Sequence, residues 1–241
     1  MPVLLRQRLR QAEFIDQPDF APDQHVQALR GLERINRWSR SAHMLWPGLR
    51  AASVAAAGRP LRVLDIATGA GDVPLQLWRK ARQAGLAIEL EGCDRSLVAL
   101  EHARRRAAEQ GAAVTFFPCD VLREPLPGTY DVIVSSLFLH HLAEGEALQL
   151  LRTMGQAARM GIMINDLRRS TGGWWLAYFG TRVLSASYAV HHDGPVSVAA
   201  AFTCSEALAL ARQAGLHGAY ARRRWPFRFL LSWWREGCGE S

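Results

Sequence analysis

Between Leu61 and Pro74 the chain reads Leu-Arg-Val-Leu-Asp-Ile-Ala-Thr-Gly-Ala-Gly-Asp-Val-Pro, a stretch that leaves few options for the fold. Leu61 to Ala67 is a short run of aliphatic and β-branched residues, the pattern of a parallel strand buried on both faces. Gly69 and Gly71 follow, where the backbone can take positive φ and pass close to a ligand with no Cβ in the way. A helix is expected from about Asp72, with Pro74 in its first turn, where the missing N–H costs nothing. Strand, glycine turn and helix N-terminus together make a nucleotide-type binding corner in an α/β sheet.

Two details narrow the ligand. A dinucleotide fingerprint calls for a small residue at the sixth position of Gly69-Ala-Gly71-Asp-Val-Pro74, and the chain has proline there. Asp65 stands inside the strand, where a pyrophosphate would gain nothing from negative charge and a cationic ligand would gain. The run Val63-Leu64-Asp65-Ile66-Ala67-Thr68-Gly69-Ala70-Gly71 resembles motif I of the class I S-adenosylmethionine (SAM) methyltransferases. The resemblance implies a glycine loop wrapped around a sulfonium and its amino acid tail, with Asp65 holding the amino group through water.

The next two strand ends add to that resemblance. Ala87 to Cys93 reads as a second strand ending at Asp94, about 20 residues past the glycines, where a carboxylate accepts hydrogen bonds from both ribose hydroxyls. Its alternative duty, capping the helix of Ser96 to Glu109, is one that Ser96 already suits. Val114 to Phe117 reads as the third strand, followed by Pro118-Cys119-Asp120-Val121. The resemblance sets Asp120 against the exocyclic amine of adenine and Val121 beside the ring. A Pro-Cys pair also carries the nucleophile of RNA cytosine methyltransferases, but there it follows the fourth strand. Cys119 therefore reads as a small pocket wall. Residue by residue, the resemblance carries cofactor contacts onto Asp65, Ala67, Thr68, Gly69, Gly71, Asp94, Arg95, Asp120, Val121 and Ser136. It implies SAM as cofactor, S-adenosylhomocysteine as product and no metal, because a sulfonium is already a good leaving group.

Tyr130 to Ser136 is the fourth strand, introduced by the turn formers Pro125, Pro127 and Gly128. Its carboxyl end, Ser136-Leu137-Phe138-Leu139-His140-His141-Leu142, lies where the resembled fold brings the acceptor to the methyl group. DNA amine methyltransferases place Asn or Asp, then Pro-Pro and an aromatic, at this point, and nothing like it is present. A helix is expected from about Glu144 to Arg159, then a fifth strand from Met160 to Asn165, closing at Asp166-Leu167-Arg168-Arg169. An aromatic helix over 172–187 leads into Tyr188 to Pro195, expected as a loop forming a substrate lid. A further helix runs from about Ser205, capped by Thr203 or Ser205, to Ala214, with Gly215 ending it. Strands over Gly218 to Arg224 and Phe227 to Trp234 close the sheet as an antiparallel hairpin.

The expected fold is thus α/β: a Rossmann-like, doubly wound, seven-stranded sheet with an antiparallel last strand. A helical cap occupies residues 1–58, with helices over Pro22 to Trp38 and Ala42 to Ala57, the second interrupted near Pro47. The SAM-binding domain takes residues 59–241, with its lid region around 170–203.

An acceptor phenol has a pKa of about 10, so a general base within hydrogen-bond reach helps form phenolate near neutral pH. His192 ranks first because Asp193 adjoins it, and His140 and His141 are the other candidates. Leu137, Asp166, Arg168, Trp175 and His191 are expected against the acceptor. Each also has a purely structural alternative: His140 and His141 open a helix, Asp166 ends a strand and Arg168 stays solvated. Asp166 to Arg169 together with His192-Asp193 resembles small bacterial methyltransferases of polyketide and quinone biosynthesis. That implies a small aromatic, polyketide-derived or quinol acceptor, with O-methylation of a phenol ahead of C-methylation of a quinol ring.

The formal net charge of +7 comes from arginine much more than lysine, with runs at 104–106, 168–169 and 222–224, and admits RNA or an anionic membrane as a partner. The blocks are short and fall in different elements, so solvated surface charge is the expected reading and an RNA methyltransferase the distant alternative. Cys93, Cys119, Cys204 and Cys238 form no Cys-x-x-Cys pair, consistent with reduced thiols in a cytoplasmic protein. The N-terminus lacks the pattern of a signal peptide. Gly172 to Val190 is the most apolar long segment, but Arg182 interrupts it below spanning length, so no membrane span is expected.

Overall fold

The computed structural model describes residues 5–11, 40–185 and 187–238. Helix α1 (Ser41–Ala55) precedes β1 (Leu61–Ile66). Then α2 (Asp72–Ala84), β2 (Ile88–Asp94), α3 (Leu97–Glu109) and β3 (Val114–Pro118) alternate, followed by β4 (Tyr130–Ser136), a 3-10 turn (Leu139–His141), α4 (Glu144–Ala157) and β5 (Ala158–Leu167). Three helices, α5 (Thr171–Leu184), α6 (Tyr188–Ala200) and α7 (Cys204–Gln213), lead to the hairpin of β6 (Tyr220–Arg224) and β7 (Arg228–Trp234).

The seven strands form one sheet in the order β3-β2-β1-β4-β5-β7-β6. Strands β3 through β5 pair in parallel, and β7 runs antiparallel to both β5 and β6. The strand order reverses between β1 and β4, and the crevice above their carboxyl ends is where such sheets bind ligands. The expected doubly wound fold and its closing hairpin are therefore found.

Alternation along the strands feeds two apolar layers. Leu64, Ile66, Ile133, Ile162 and Ile164 pack against Leu150, Leu151 and Met154 of α4 and Ala207 and Ala211 of α7. Val63, Val132, Val134 and Met163 face Leu45 and Leu49 of α1 and Leu77 of α2. Both faces of the central strands are covered, which is why β1 and β4 read as continuous apolar runs.

Three local expectations are corrected. Pro47 lies inside α1 without interrupting it, because the helix is held against the sheet: Leu45 and Leu49 are buried, and a Cβ at Gly48 would stand 2.6 Å from Met163 Sδ. The segment expected as a lid loop, Tyr188 to Pro195, is the first half of α6. Ala189, Val190, Pro195 and Val198 are buried there, and tertiary burial overrides the poor local propensity. The aromatic helix stops at Leu184 instead of running on to 187, and the His191 ring (Nε2) lies 2.7 Å from the Ser185 carbonyl at the break. Helix α7 opens as the sequence suggests: Thr203 Oγ1 accepts from Glu206 N at 3.3 Å while the Glu206 carboxylate accepts from Thr203 N at 2.8 Å. The helix expected over Pro22 to Trp38 lies outside the described residues.

Leu64 is fully buried in the central strand. Leu64→Ala should lower unfolding stability by about 3 kcal/mol, read as a lower urea midpoint at unchanged slope.

Candidate functional site

The site is built at the carboxyl ends of β1, β2, β4 and β5. Where β1 ends, Ala67, Gly69 and Gly71 all take positive φ, at 54°, 54° and 74°. A Cβ added at Gly69 would meet nothing within 4 Å, whereas one at Gly71 would stand 2.8 Å from Phe116 Cζ. Gly69 therefore leaves open space above the turn, and Gly71 lets the turn seat on β3. Arg106 of α3 braces the loop from the side, donating to Ala70 O at 3.0 Å and to the Asp72 carboxylate at 2.6 Å.

Asp94 closes the corner. Its Oδ2 accepts from Gly69 N at 2.8 Å and its Oδ1 from Ser96 N at 2.9 Å, while Ser96 Oγ accepts from Ala99 N at 3.2 Å as the helix cap. The carboxylate is thus fixed against the glycine turn with lone pairs to spare for a ligand. Beside it, Arg95 is exposed and Val121 is buried. One oxygen of Asp120 accepts from Leu122 N at 3.1 Å and the other lies 3.6 Å from Arg123 Nε.

Asp65 is buried in β1. Its Oδ2 accepts from Thr68 Oγ1 at 2.7 Å, and its Oδ1 has no partner among the described residues. Burial pushes its pKa up to about 7, with the charges of Asp94 and Asp72 adding and the Thr68 hydroxyl opposing.

Strands β4 and β5 supply the other wall. Ser136 and Asn165 are Cα partners across the two strands, and Ser136 Oγ and both amide atoms of Asn165 are buried without partners among the described residues. Leu137 follows at φ 57°, a strained placement for leucine, and its N–H donates to Asn165 O at 2.9 Å. Three residues on, the His140 ring meets Asp166: Nδ1 lies 2.6 Å from Asp166 Oδ1, and His140 N donates to Oδ2 at 3.1 Å. Both side chains are buried. Burial works against the charge of Asp166, yet His140, the Leu167 N–H and Arg228 hold its carboxyl below the usual range. His141 stacks on His140 with ring centroids 4.2 Å apart. Burial pushes its imidazole down to about 3, with His140, Arg95 and Arg10 adding and Asp166 opposing, so the ring is neutral at ordinary pH.

A second group of predicted residues gathers elsewhere. His191, His192 and Trp175 line a cavity of about 380 Å³ between α5, α6 and the segment 5–11, with Trp174, Tyr178 and Leu9. His192 Nδ1 stands 3.1 Å from Asp193 Oδ1. The segment 5–11 divides this cavity from the His140 turn. Its Leu5 and Leu9 face the cavity, while Arg8 donates to His140 O at 2.8 Å and Arg10 to His141 O at 2.7 Å. Of the arginines after β5, Arg168 lies over Phe227 at 5.9 Å, and Arg169 is buried in bonds to Ala201 O, Leu5 O and Glu206.

Sequence reasoning passed over Asn165, Arg106 and the segment 5–11. An asparagine closing the apolar run from Met160 was a readable signal. The partners of Arg106, Arg8 and Arg10 lie far off in sequence and left none. Among the described residues no group of His, Cys, Asp and Glu has the arrangement of a metal site, and no single helix is long and apolar enough to cross a membrane.

The raised pKa of Asp65 means that its carboxyl takes up a proton on folding where the unfolded chain has released it. Wild type should therefore lose stability relative to Asp65→Asn as pH rises from about 4 to about 7, read as the difference between their urea midpoints. A difference that stays constant over this range would contradict the burial argument.

Comparison with known proteins agrees with this geometry. Residues 63–161 match a family model described as a methyltransferase domain. A demethylmenaquinone methyltransferase of Thermus thermophilus is 32% identical over 117 residues, which is 47% of this chain and 51% of that protein. One from Deinococcus radiodurans is 34% identical over 95 residues, 39% of this chain and 38% of its own. The matches thus span about half the length of these relatives or less. Among solved structures, the methyltransferase SibL in its apo form has a TM-score of 0.63 at 19% identity, covering 96% of this chain and 64% of that one. The plantazolicin methyltransferase BamL, solved with a desmethylPZN analog and S-adenosylhomocysteine, has a TM-score of 0.63 at 22% identity, covering 83% and 71%. Such distant likenesses show the fold, while the sequence matches carry the domain: residues 63–161 match a methyltransferase domain, in a chain that resembles the class I methyltransferases and, over half its length or less, the demethylmenaquinone methyltransferases.

Proposed function

We propose that this chain transfers the methyl group of SAM to a small, flat, apolar aromatic acceptor, at a phenolic oxygen. The observation that carries the cofactor reading is the Asp94 carboxylate, pinned by Gly69 N–H and Ser96 N–H at the mouth of the glycine turn. The residues fit the group. Gly69 leaves the space above it open, and the unpartnered Asp65 Oδ1 suits the cationic amino end of such a ligand. Asp94 would hold the ribose, Asp120 and Val121 the base, and Ala67, Thr68, Gly69 and Gly71 the tail. When bound, SAM supplies a methyl group on a sulfonium, a leaving group that needs no further activation.

The work left to the protein is alignment and proton removal. In the pair His140–Asp166, the short contact at Nδ1 assigns that proton to the histidine and the lone pair to Nε2, the atom suited to accept a phenolic proton. Asp166 fixes the ring through two bonds, one to the imidazole and one to the backbone N–H of His140, so it acts as a positioning residue for this base. The aromatic cavity beside α5 and α6 lies across the segment 5–11 from this pair, and an acceptor held there would meet His192 in place of His140. A second reading is C-methylation of a quinol ring, favoured by the demethylmenaquinone methyltransferase relatives. NMR of the methylated product separates an O-methyl from a C-methyl group.

Asp94→Ala should weaken SAM binding by about 1 to 3 kcal/mol in calorimetry, the loss of a charged acceptor's hydrogen bonds. Unchanged affinity in the folded variant overturns the assignment. His140→Gln and Asp166→Asn should each lower kcat on a phenolic acceptor by about a hundredfold while SAM affinity holds. If His192→Gln shows that loss instead, the base belongs to the cavity.

A further inference from the structure

Ten large apolar side chains are exposed among the described residues, and six of them fall on α5, the start of α6 and the β6–β7 tip: Trp175, Leu176, Phe179, Val183, Tyr188 and Trp225. Leu176, Phe179 and Val183 follow one another at i, i+3 and i+7, a single face of α5. Phe179 is 59% exposed and Val183 84% exposed. Trp175 joins them, its ring stacked on Phe179 at 5.6 Å. At the other end of α5, a Cβ at Gly172 would stand 2.6 Å from Phe227 Cζ, so the β6–β7 hairpin abuts the first turn. Two residues from Phe227, the ring of Trp225 is 80% exposed at the hairpin tip. Soluble surfaces rarely gather apolar side chains in this way without a contact to make.

The two segments that carry these side chains bear charge of one sign. No acidic residue occurs from Leu167 to His192 or from Ala207 to Arg235. Arg182 is exposed on α5, and exposed Arg222 and Arg223 lead into the hairpin tip. We propose that α5 and the β6–β7 tip form a docking surface for an anionic phospholipid bilayer, with the aromatic and aliphatic tips entering the interface and the arginines meeting the headgroups. Charge argues against a second copy as occupant, since pairing this face with itself would bring two arginine-bearing, acid-free stretches of α5 and the hairpin together on chains of net charge +7. Trp175 belongs both to this ridge and to the cavity wall, so the cavity borders the docking face. An acceptor dissolved in the bilayer would then reach the protein where it touches the membrane.

The test is flotation of the full chain with phosphatidylcholine vesicles, with and without phosphatidylglycerol, in the absence of cofactor and acceptor, so that it stands apart from the reaction. Binding is expected only to the phosphatidylglycerol vesicles. It should fall about tenfold in the double variant Leu176→Glu, Val183→Glu, which places charge where apolar insertion is required. The thermal midpoint of that variant, both of whose sites are exposed, should match wild type. Failure of the wild type to float overturns the proposal. So does binding that the variant leaves unchanged, which is adsorption by charge alone, and so does sedimentation velocity showing a dimer that the variant converts to monomer.

Discussion

The Asp65 carboxyl lies within the central strand of a sheet covered on both faces, and the corner takes its shape from how that group is satisfied. Thr68 donates to it across the start of the turn, which requires the chain to curl at once after Ile66. The curl sets Ala67 and Gly69 at positive φ and brings the Gly69 N–H onto Asp94 at the end of the next strand. Neighbouring glycines make the curl possible. A Cβ at Gly92 would stand 2.9 Å from Thr68 Oγ1 and from Phe116, so β2 must pass without a side chain at that point. The polar corner and the apolar layer behind it are one packing problem, solved by Gly71, Gly92 and Phe116 together.

Across the crevice the same economy recurs with different groups. Parallel pairing of β4 with β5 sets Ser136 beside Asn165, and the chain turns away through the left-handed Leu137. Asp166 then reaches both the ring and the backbone N–H of His140. One carboxylate fixes where the turn goes and how its imidazole is oriented, and it stays charged in a buried place because those donors surround it. A ring so held has lost its freedom in the folded protein before any ligand arrives.

Much of this was legible in the sequence for a physical reason. The glycine spacing, the strand-end acids and the apolar runs are local patterns, and the sheet order follows from alternating strands and helices. The fold and the glycine corner with its strand-end acids could therefore be read residue by residue from Val63 to Val121. The opposite wall of the crevice could not. Tyr188 to Pro195 holds two histidines, a glycine and a proline, which read locally as a loop, yet burial of Ala189, Val190 and Val198 makes it helix. His192 drew attention because Asp193 adjoins it in sequence. The closer pairing, His140 with Asp166, spans 26 residues and depends on two strands lying side by side. Adjacency in space created by sheet pairing has no signature in a window of sequence.

The bonds of Arg8 carry a consequence for how the chain comes together. Its guanidinium reaches Ala200 O, 192 residues away, and His140 O, 132 residues away. Neither acceptor exists at its final position until β4, β5 and α6 have assembled, so the segment 5–11 has nowhere to sit until nearly the whole domain is in place. Closure of so long a loop carries its entropic cost in full before the contacts form. The segment can therefore seat only once both acceptors are in place, and its docking closes the wall of the crevice beside His140.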